Sequence, residues 1–220
     1  QVSNVSARRL LGANSNRYAN VPVFDIEKSR AVLVEECEAY GNQRAAFLLW
    51  LSRFVTLRRC YANSLHVGCP AGGTSWCPAN STYGDSAFSI YGSSDSILEN
   101  CVAENDAGGI TISGADNVLD PSGHGGRRNQ VLGTILLNDN GVALASRGKP
   151  TYSSTYANAR DNVFRDIVVA NGGGTGVYLR SAAGNLVDRA TIVGMRSSGL
   201  VADETTDLGA SCQLAINTEG

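Results

Sequence analysis

His124 sits between two glycines, and Arg127 and Arg128 follow it closely. A second run, 146–162, carries Arg147, Lys149, Tyr152, Tyr156 and Arg160. Cations beside an acidic sugar could neutralise its uronate carboxylate and so acidify the neighbouring proton. An imidazole or phenol at His124, Tyr152 or Tyr156 could then move that proton as base or acid. The combination is β-elimination, the reaction of a polysaccharide lyase. The same residues also read as solvated loops, with Asp116 and Asp120 nearby and ion pairs such as Asp120 with Arg127 or Arg128. No paired carboxylates accompany them, so a lyase is favoured over a glycoside hydrolase if the chain is an enzyme at all. The sequence calls for no cofactor and no metal: His66 alone does not complete a ligand set with Cys69 and Cys77.

What must position these residues is a repeat. An aliphatic residue, then Cys or an aliphatic three on, then a small or aliphatic residue two further, recurs along the chain. It reads Val34-Cys37-Ala39, Leu57-Cys60-Ala62, Leu98-Cys101-Ala103, Leu132-Ile135-Leu137, Phe164-Ile167-Val169 and Val187-Ala190-Ile192. Before each lies a short alternating segment with inward pairs Phe24/Ile26, Phe47/Leu49, Phe88/Ile90, Ile110/Ile112, Val142/Leu144 and Val177/Leu179. The undisturbed period is about 23 residues, the range of solenoid repeats. Alternation by two broken every few residues by Gly, Asn, Asp or Ser means short strands. Stacked units of such strands make a β-solenoid of about seven coils. Insertions fall at about 64–87, 115–130 and 146–162. The last two leave the same corner of consecutive coils and form a wall.

Composition agrees. The chain has 220 residues with 25 glycines and 17% charge, too apolar for disorder. It has no apolar run long enough for a membrane span. A net charge of −2 gives no footprint for nucleic acid. Only Lys28 and Lys149 are lysines among 18 basic residues. Arginine's fixed fork suits ordered ion pairs.

Ser94–Ile112 (SDSILENCVAENDAGGITI) and Ala159–Leu179 (ARDNVFRDIVVANGGGTGVYL) resemble consecutive repeats of the right-handed parallel β-helix family, the pectate-lyase-like superfamily. The resemblance covers about residues 20–215. It implies an all-β, right-handed parallel β-helix in a single domain, 1–220, and leaves activity open. Gly123-His124-Gly125 matches the Gly-His-Gly of pectin-hydrolysing members, but their three-aspartate cluster is missing here, as is the acidic calcium site of the lyases.

Down each outward column, charge should alternate. One column reads Glu35, Arg58, Glu99, Gly133, Arg165, Asp188; the next reads Glu36, Arg59, Asn100, Thr134, Asp166, Arg189. A third reads Glu38, Tyr61, Val102, Leu136, Val168, Thr191, an apolar stripe expected to meet a partner or a covering loop. On the first-strand face, Trp50 and Tyr91 share a column with Ala145 and Arg180. Asp25, Leu48, Ser89, Thr111, Ala143 and Tyr178 form the column beside it. Trp50, Tyr91, Tyr178 and Arg180 are a candidate sugar platform, and Arg127, Arg128, Arg147 and Lys149 are candidate anion contacts. Cys37, Cys60 and Cys101, with Cys212, read as a column of buried thiols. Cys69 and Cys77, flanking a Pro/Gly loop, are expected to form a disulfide in an oxidising compartment.

Val2-Val5-Ala7 and Cys212/Leu214 fit the core pattern, so the chain reads as starting and ending inside coils. Further coils of a longer chain, or other copies stacked end to end, would continue them. The expectation is a secreted or cell-surface module with a structural or display role that contacts glycans or copies of itself. Adhesins, tailspikes and fibres contain such modules. The alternative is a carbohydrate-active enzyme, foremost a polysaccharide lyase, on an anionic polysaccharide.

Overall fold

The computed structural model describes residues 3–13, 22–41, 45–63, 86–106, 108–114, 126–139, 141–147, 159–180, 184–202, 207–208 and 213–214. Every described element is a strand. The strands form three parallel sheets of seven, eight and eight strands, in which each strand pairs with its counterpart one coil away. The result is a right-handed parallel β-helix of about seven coils, the hand expected of parallel crossovers.

The first sheet runs from Phe24–Glu27 to Leu200–Ala202, the second from Ser3–Arg8 to Asp207–Leu208, and the third from Leu11–Ala13 to Gln213–Leu214. Each coil visits them in that order. The inward column of the first sheet is Phe24, Phe47, Phe88, Ile110, Leu144, Val177 and Leu200. Its first three rings stack at centroid distances of 4.8 and 5.2 Å, with interplanar angles of 4° and 11°. Parallel strand spacing sets that repeat.

Coil geometry is fixed at the corners. Between the second and third sheets, Arg9, Glu36, Arg59, Asn100, Gly133, Asp166 and Arg189 all adopt positive φ, from 51° to 57°. Six of the seven carry a side chain, and the left-handed conformation costs each about 1–2 kcal/mol. Two interactions offset it. The backbone N–H of Glu36, Arg59, Asn100 and Gly133 each donates to a carbonyl of the next coil, at 2.9–3.0 Å. The side chains also pair along the column: Arg9 with Glu36 at 2.8 Å, Arg59 with Glu36 at 2.8 Å, and Arg189 with Asp166 at 2.6 Å.

The residue after each corner turns inward. There Cys37, Cys60 and Cys101 are buried free thiols, donating to Ala7, Val34 and Leu57 carbonyls at 3.8, 3.6 and 3.5 Å. The thiol column is present as expected, and Thr134, Ile167 and Ala190 continue it. A hydrogen bond with the Cys60 thiol first, and then burial, hold the Cys101 thiol well above its ordinary range.

A second ladder lies where the second sheet begins. Ser96 N–H donates to Asn129 Oδ1 at 3.1 Å, Asn129 N–H to Asn162 Oδ1 and Asn162 N–H to Asn185 Oδ1, both at 2.9 Å. The amide nitrogens of Asn129 and Asn162 reach back to Ser93 and Gly126 carbonyls at 3.1 and 2.9 Å. All four side chains are buried. Each asparagine side chain thus satisfies both a backbone donor and a carbonyl of the preceding coil.

The structure corrects the register in one coil of the second and third sheets. Val131, not Leu132, pairs with Leu98, and Leu136, not Leu137, pairs with Ala103. Inward residues of this coil are therefore Val131, Thr134 and Leu136. Leu132 and Gly133, rather than Gly133 and Thr134, continue the two charged columns. In the first sheet, Leu144 and Ser146 face inward in place of Val142 and Leu144. The two enlarged coils each span 33 residues against 23 for the next one. That is about ten extra apiece rather than 12.

Candidate functional site

The corrected register brings several of the candidate residues into one column of the first sheet. In backbone register, the column of the first sheet through Trp50 reads Glu27, Trp50, Tyr91, Ser113, Arg147 and Arg180. Arg147 takes the place expected for Ala145 and lies in a strand, Leu144–Arg147, not in an inserted loop. Trp50, Tyr91, Arg147 and Arg180 thus share one column, with Ser113 between the aromatic and basic halves.

Trp50 and Tyr91 are half-buried and meet edge to face, with centroids 6.0 Å apart and planes at 82°. The neighbouring outward column is Asp25, Leu48, Ser89, Thr111, Ala145 and Tyr178. Ala145 stands there in place of Ala143. Leu48 and Ser89 point away from the core yet are fully buried, so the middle of the face is closed. In the column through Trp50, Ser113 is buried too, while Trp50 and Tyr91 keep part of their surface beside the edge toward the second sheet.

That edge is basic. Arg127 pairs in parallel register with Ser94 on one side and Arg160 on the other. Burial first, then the positive charges of Arg160 and Arg128, push its guanidinium below the ordinary arginine range. Arg128 occupies a positive-φ corner and is engaged internally. It pairs with Asp95, one coil away, at 2.6 Å. Arg160 lies 3.9 Å from Asp161. Arg127, Arg128 and Arg160 therefore belong to the stacked corner rather than to a loop wall. Such an edge suits an anion. Among the described residues it presents no cluster of three His, Cys, Asp or Glu for a metal.

His124, Tyr152, Tyr156 and Lys149 lie outside the described residues, as do Asp116, Asp120, Cys69, Cys77, His66 and Cys212. The segments bearing the first three leave the coil after Ser113 and Arg147, which are register neighbours.

The apolar stripe of the third sheet is corrected at one position. Its column reads Glu38, Tyr61, Val102, Ile135, Val168 and Thr191. Leu136 is fully buried, whereas Ile135 is 37% exposed. Tyr61 donates its hydroxyl to Glu104 at 2.7 Å. Burial, with Glu104, pushes that phenol up to about 12.

Sequence reasoning missed the Asn129–Asn162–Asn185 ladder and two buried carboxyl groups, Asp106 and Asp139. Both had a signal. The asparagines recur at the coil period, and Asn-Asp occurs at 105–106 and again at 138–139. Compared with known proteins, the chain matches no family model, and no curated protein is significantly similar to it.

Proposed function

We propose that the chain is a secreted or cell-surface β-helix module that holds an anionic glycan along the basic edge of its first sheet, while its coils serve extension and display. The observation that carries this reading is the single column of Trp50, Tyr91, Arg147 and Arg180 beside the arginine corner. Aromatic faces and edges suit sugar rings, and guanidinium forks suit carboxylates. Closure of the 69–77 loop by a Cys69–Cys77 disulfide and membership of the pectate-lyase-like superfamily belong to the same proposal. So does contact with other copies through Tyr61, Val102, Ile135 and Val168.

A lyase is the second reading. It is favoured by one fact: both enlarged coils depart from this column, next to the arginines, and carry His124, Tyr152 and Tyr156. One experiment separates the two. The protein is incubated with a panel of uronate-containing polysaccharides, and both retention and absorbance of unsaturated product are followed. The display reading expects retention without product, weakened at least tenfold by Arg147→Ala/Arg180→Ala and by Trp50→Ala. Product formation abolished by His124→Ala would establish the lyase. No retention on any polymer would overturn the glycan reading.

A further inference from the structure

Asp106 and Asp139 occupy equivalent places in successive coils, at the corner between the third and first sheets. Each follows a positive-φ asparagine, Asn105 at 58° and Asn138 at 56°. Both are buried, at 0% and 1% exposure. The backbone N–H of Asp106 donates to Asp139 Oδ1 at 3.3 Å. This is the bond that Asn129 N–H makes to Asn162 Oδ1 at another corner, across the same 33 residues.

The ladder shows what such a position asks of a side chain: an acceptor toward the coil behind and an uncharged second atom. Asparagine supplies both. An aspartate supplies both only with a proton on its second oxygen. Asp139 Oδ2 is buried and has no hydrogen-bond partner among the described residues. A second buried carboxyl at Asp106 disfavours a charge on Asp139.

We propose that Asp139 is a proton-carrying rung paired with Asp106, so that a proton locks this corner and its loss releases it.

The surroundings fit. Asp139 Oδ2 and the Ala143 carbonyl both lie 2.6 Å from where a Cβ on Gly109 would stand, with a Leu136 methyl at 2.9 Å. On the far side, Gly173 N–H donates to the Asp139 carbonyl at 2.7 Å, and Met195 packs on Gly172. Arg196, next along the corner, is exposed, and the half-buried Glu104 accepts from Tyr61. Among the described residues, Asp106 supplies the one charge acting on Asp139. Burial, and then that charge, push Asp139 up to about 9. The folded form therefore binds this proton more tightly than the unfolded chain does. The stabilisation is complete below the ordinary carboxyl range, declines as pH rises, and is gone once pH has passed through about 9.

The test is thermal unfolding of the 220-residue chain between about pH 5 and pH 10, together with its infrared spectrum. These limits bracket the window in which a raised carboxyl changes stability. The wild-type midpoint is expected to fall steadily across this range. Asp139→Asn should flatten the fall and unfold at a higher temperature than wild type at the alkaline end. At pH 8 the wild type should show the carbonyl stretch of a protonated carboxyl, and Asp139→Asn should lack it. An unchanged slope in Asp139→Asn, or no such band in the wild type, would overturn the proposal. If Asp139→Asn does not fold, the wild-type band and its disappearance on raising pH through about 9 decide alone.

Discussion

Arg128 and Asp95 stand one coil apart and meet in a two-pronged ion pair, Nε and a terminal nitrogen reaching separate carboxylate oxygens at 2.6 and 2.9 Å. Both residues hold positive φ, 52° and 57°. Arg53 adds a third bond to Asp95 at 3.0 Å. Two cations therefore clamp one carboxylate across three coils.

That clamp predicts an acid limb in stability. Arg128 first, then Arg53, hold Asp95 at about 2, below the ordinary range. A depressed carboxyl contributes stability above its unfolded value, near 4, and loses it as pH falls through its folded one. Urea midpoints should therefore drop between pH 4 and pH 2, and Asp95→Asn should remove part of that drop. Because Arg128 is half exposed, Arg128→Ala should cost only about 1 kcal/mol.

The asparagine ladder predicts a larger effect. Asn162→Ala leaves the buried Asn129 N–H without its acceptor, while the Gly126 carbonyl loses one of two donors and keeps the Arg160 N–H at 3.1 Å. Equilibrium unfolding should show a loss of about 1–3 kcal/mol, the cost of one orphaned buried donor. Asn162→Asp should be destabilised most at high pH, where the acid ionises.

The third-sheet register predicts a contrast between neighbours. Leu136→Ala should cost about 2–5 kcal/mol as a core truncation. Ile135→Glu, one residue away on the outer face, should change folding stability by about 0.5 kcal/mol or less. If copies associate through this stripe, sedimentation of Ile135→Glu will also show the smaller species. Equal stability losses for the two variants would contradict the register.

The thiol column predicts selective chemistry. Cys37, Cys60 and Cys101 are enclosed, so iodoacetamide at pH 8 should leave their peptides unmodified in the native protein. All three should be labelled once it is unfolded, as read by mass spectrometry of the digest. Labelling of any of the three in the native protein would count against an enclosed column, since Cys37 and Cys101 are 0% and Cys60 1% exposed.

The coil was legible wherever inward and outward residues differed in kind. Val34-Cys37-Ala39 is flanked by Glu35, Glu36 and Glu38, and only one register buries the apolar set. Residues 130–137, QVLGTILL, are apolar at both parities, so alternation could not choose. Two residues outside the apolar pattern decide it: Asn129, stacked between Ser96 and Asn162, and Gly133, in the positive-φ column. The same ambiguity over Val142, Ala143, Leu144 and Ala145 hid Arg147 from the column it shares with Trp50. Asparagines read as turn residues proved to be the interior's polar fasteners. A carboxyl pair buried at a corner could be found only once the coils were laid on one another.

The step from Asn129 to Asn162 takes 33 residues and the step from Asn162 to Asn185 takes 23, yet both close with the same 2.9 Å bond. Axial advance is therefore independent of contour length. The rod lengthens by whole rungs, and a side segment can be lengthened, trimmed or exchanged between rungs without moving the next one. Evolution, or an engineer, can vary what leaves the coil after Ser113 or Arg147 while the ruler beneath keeps its graduations.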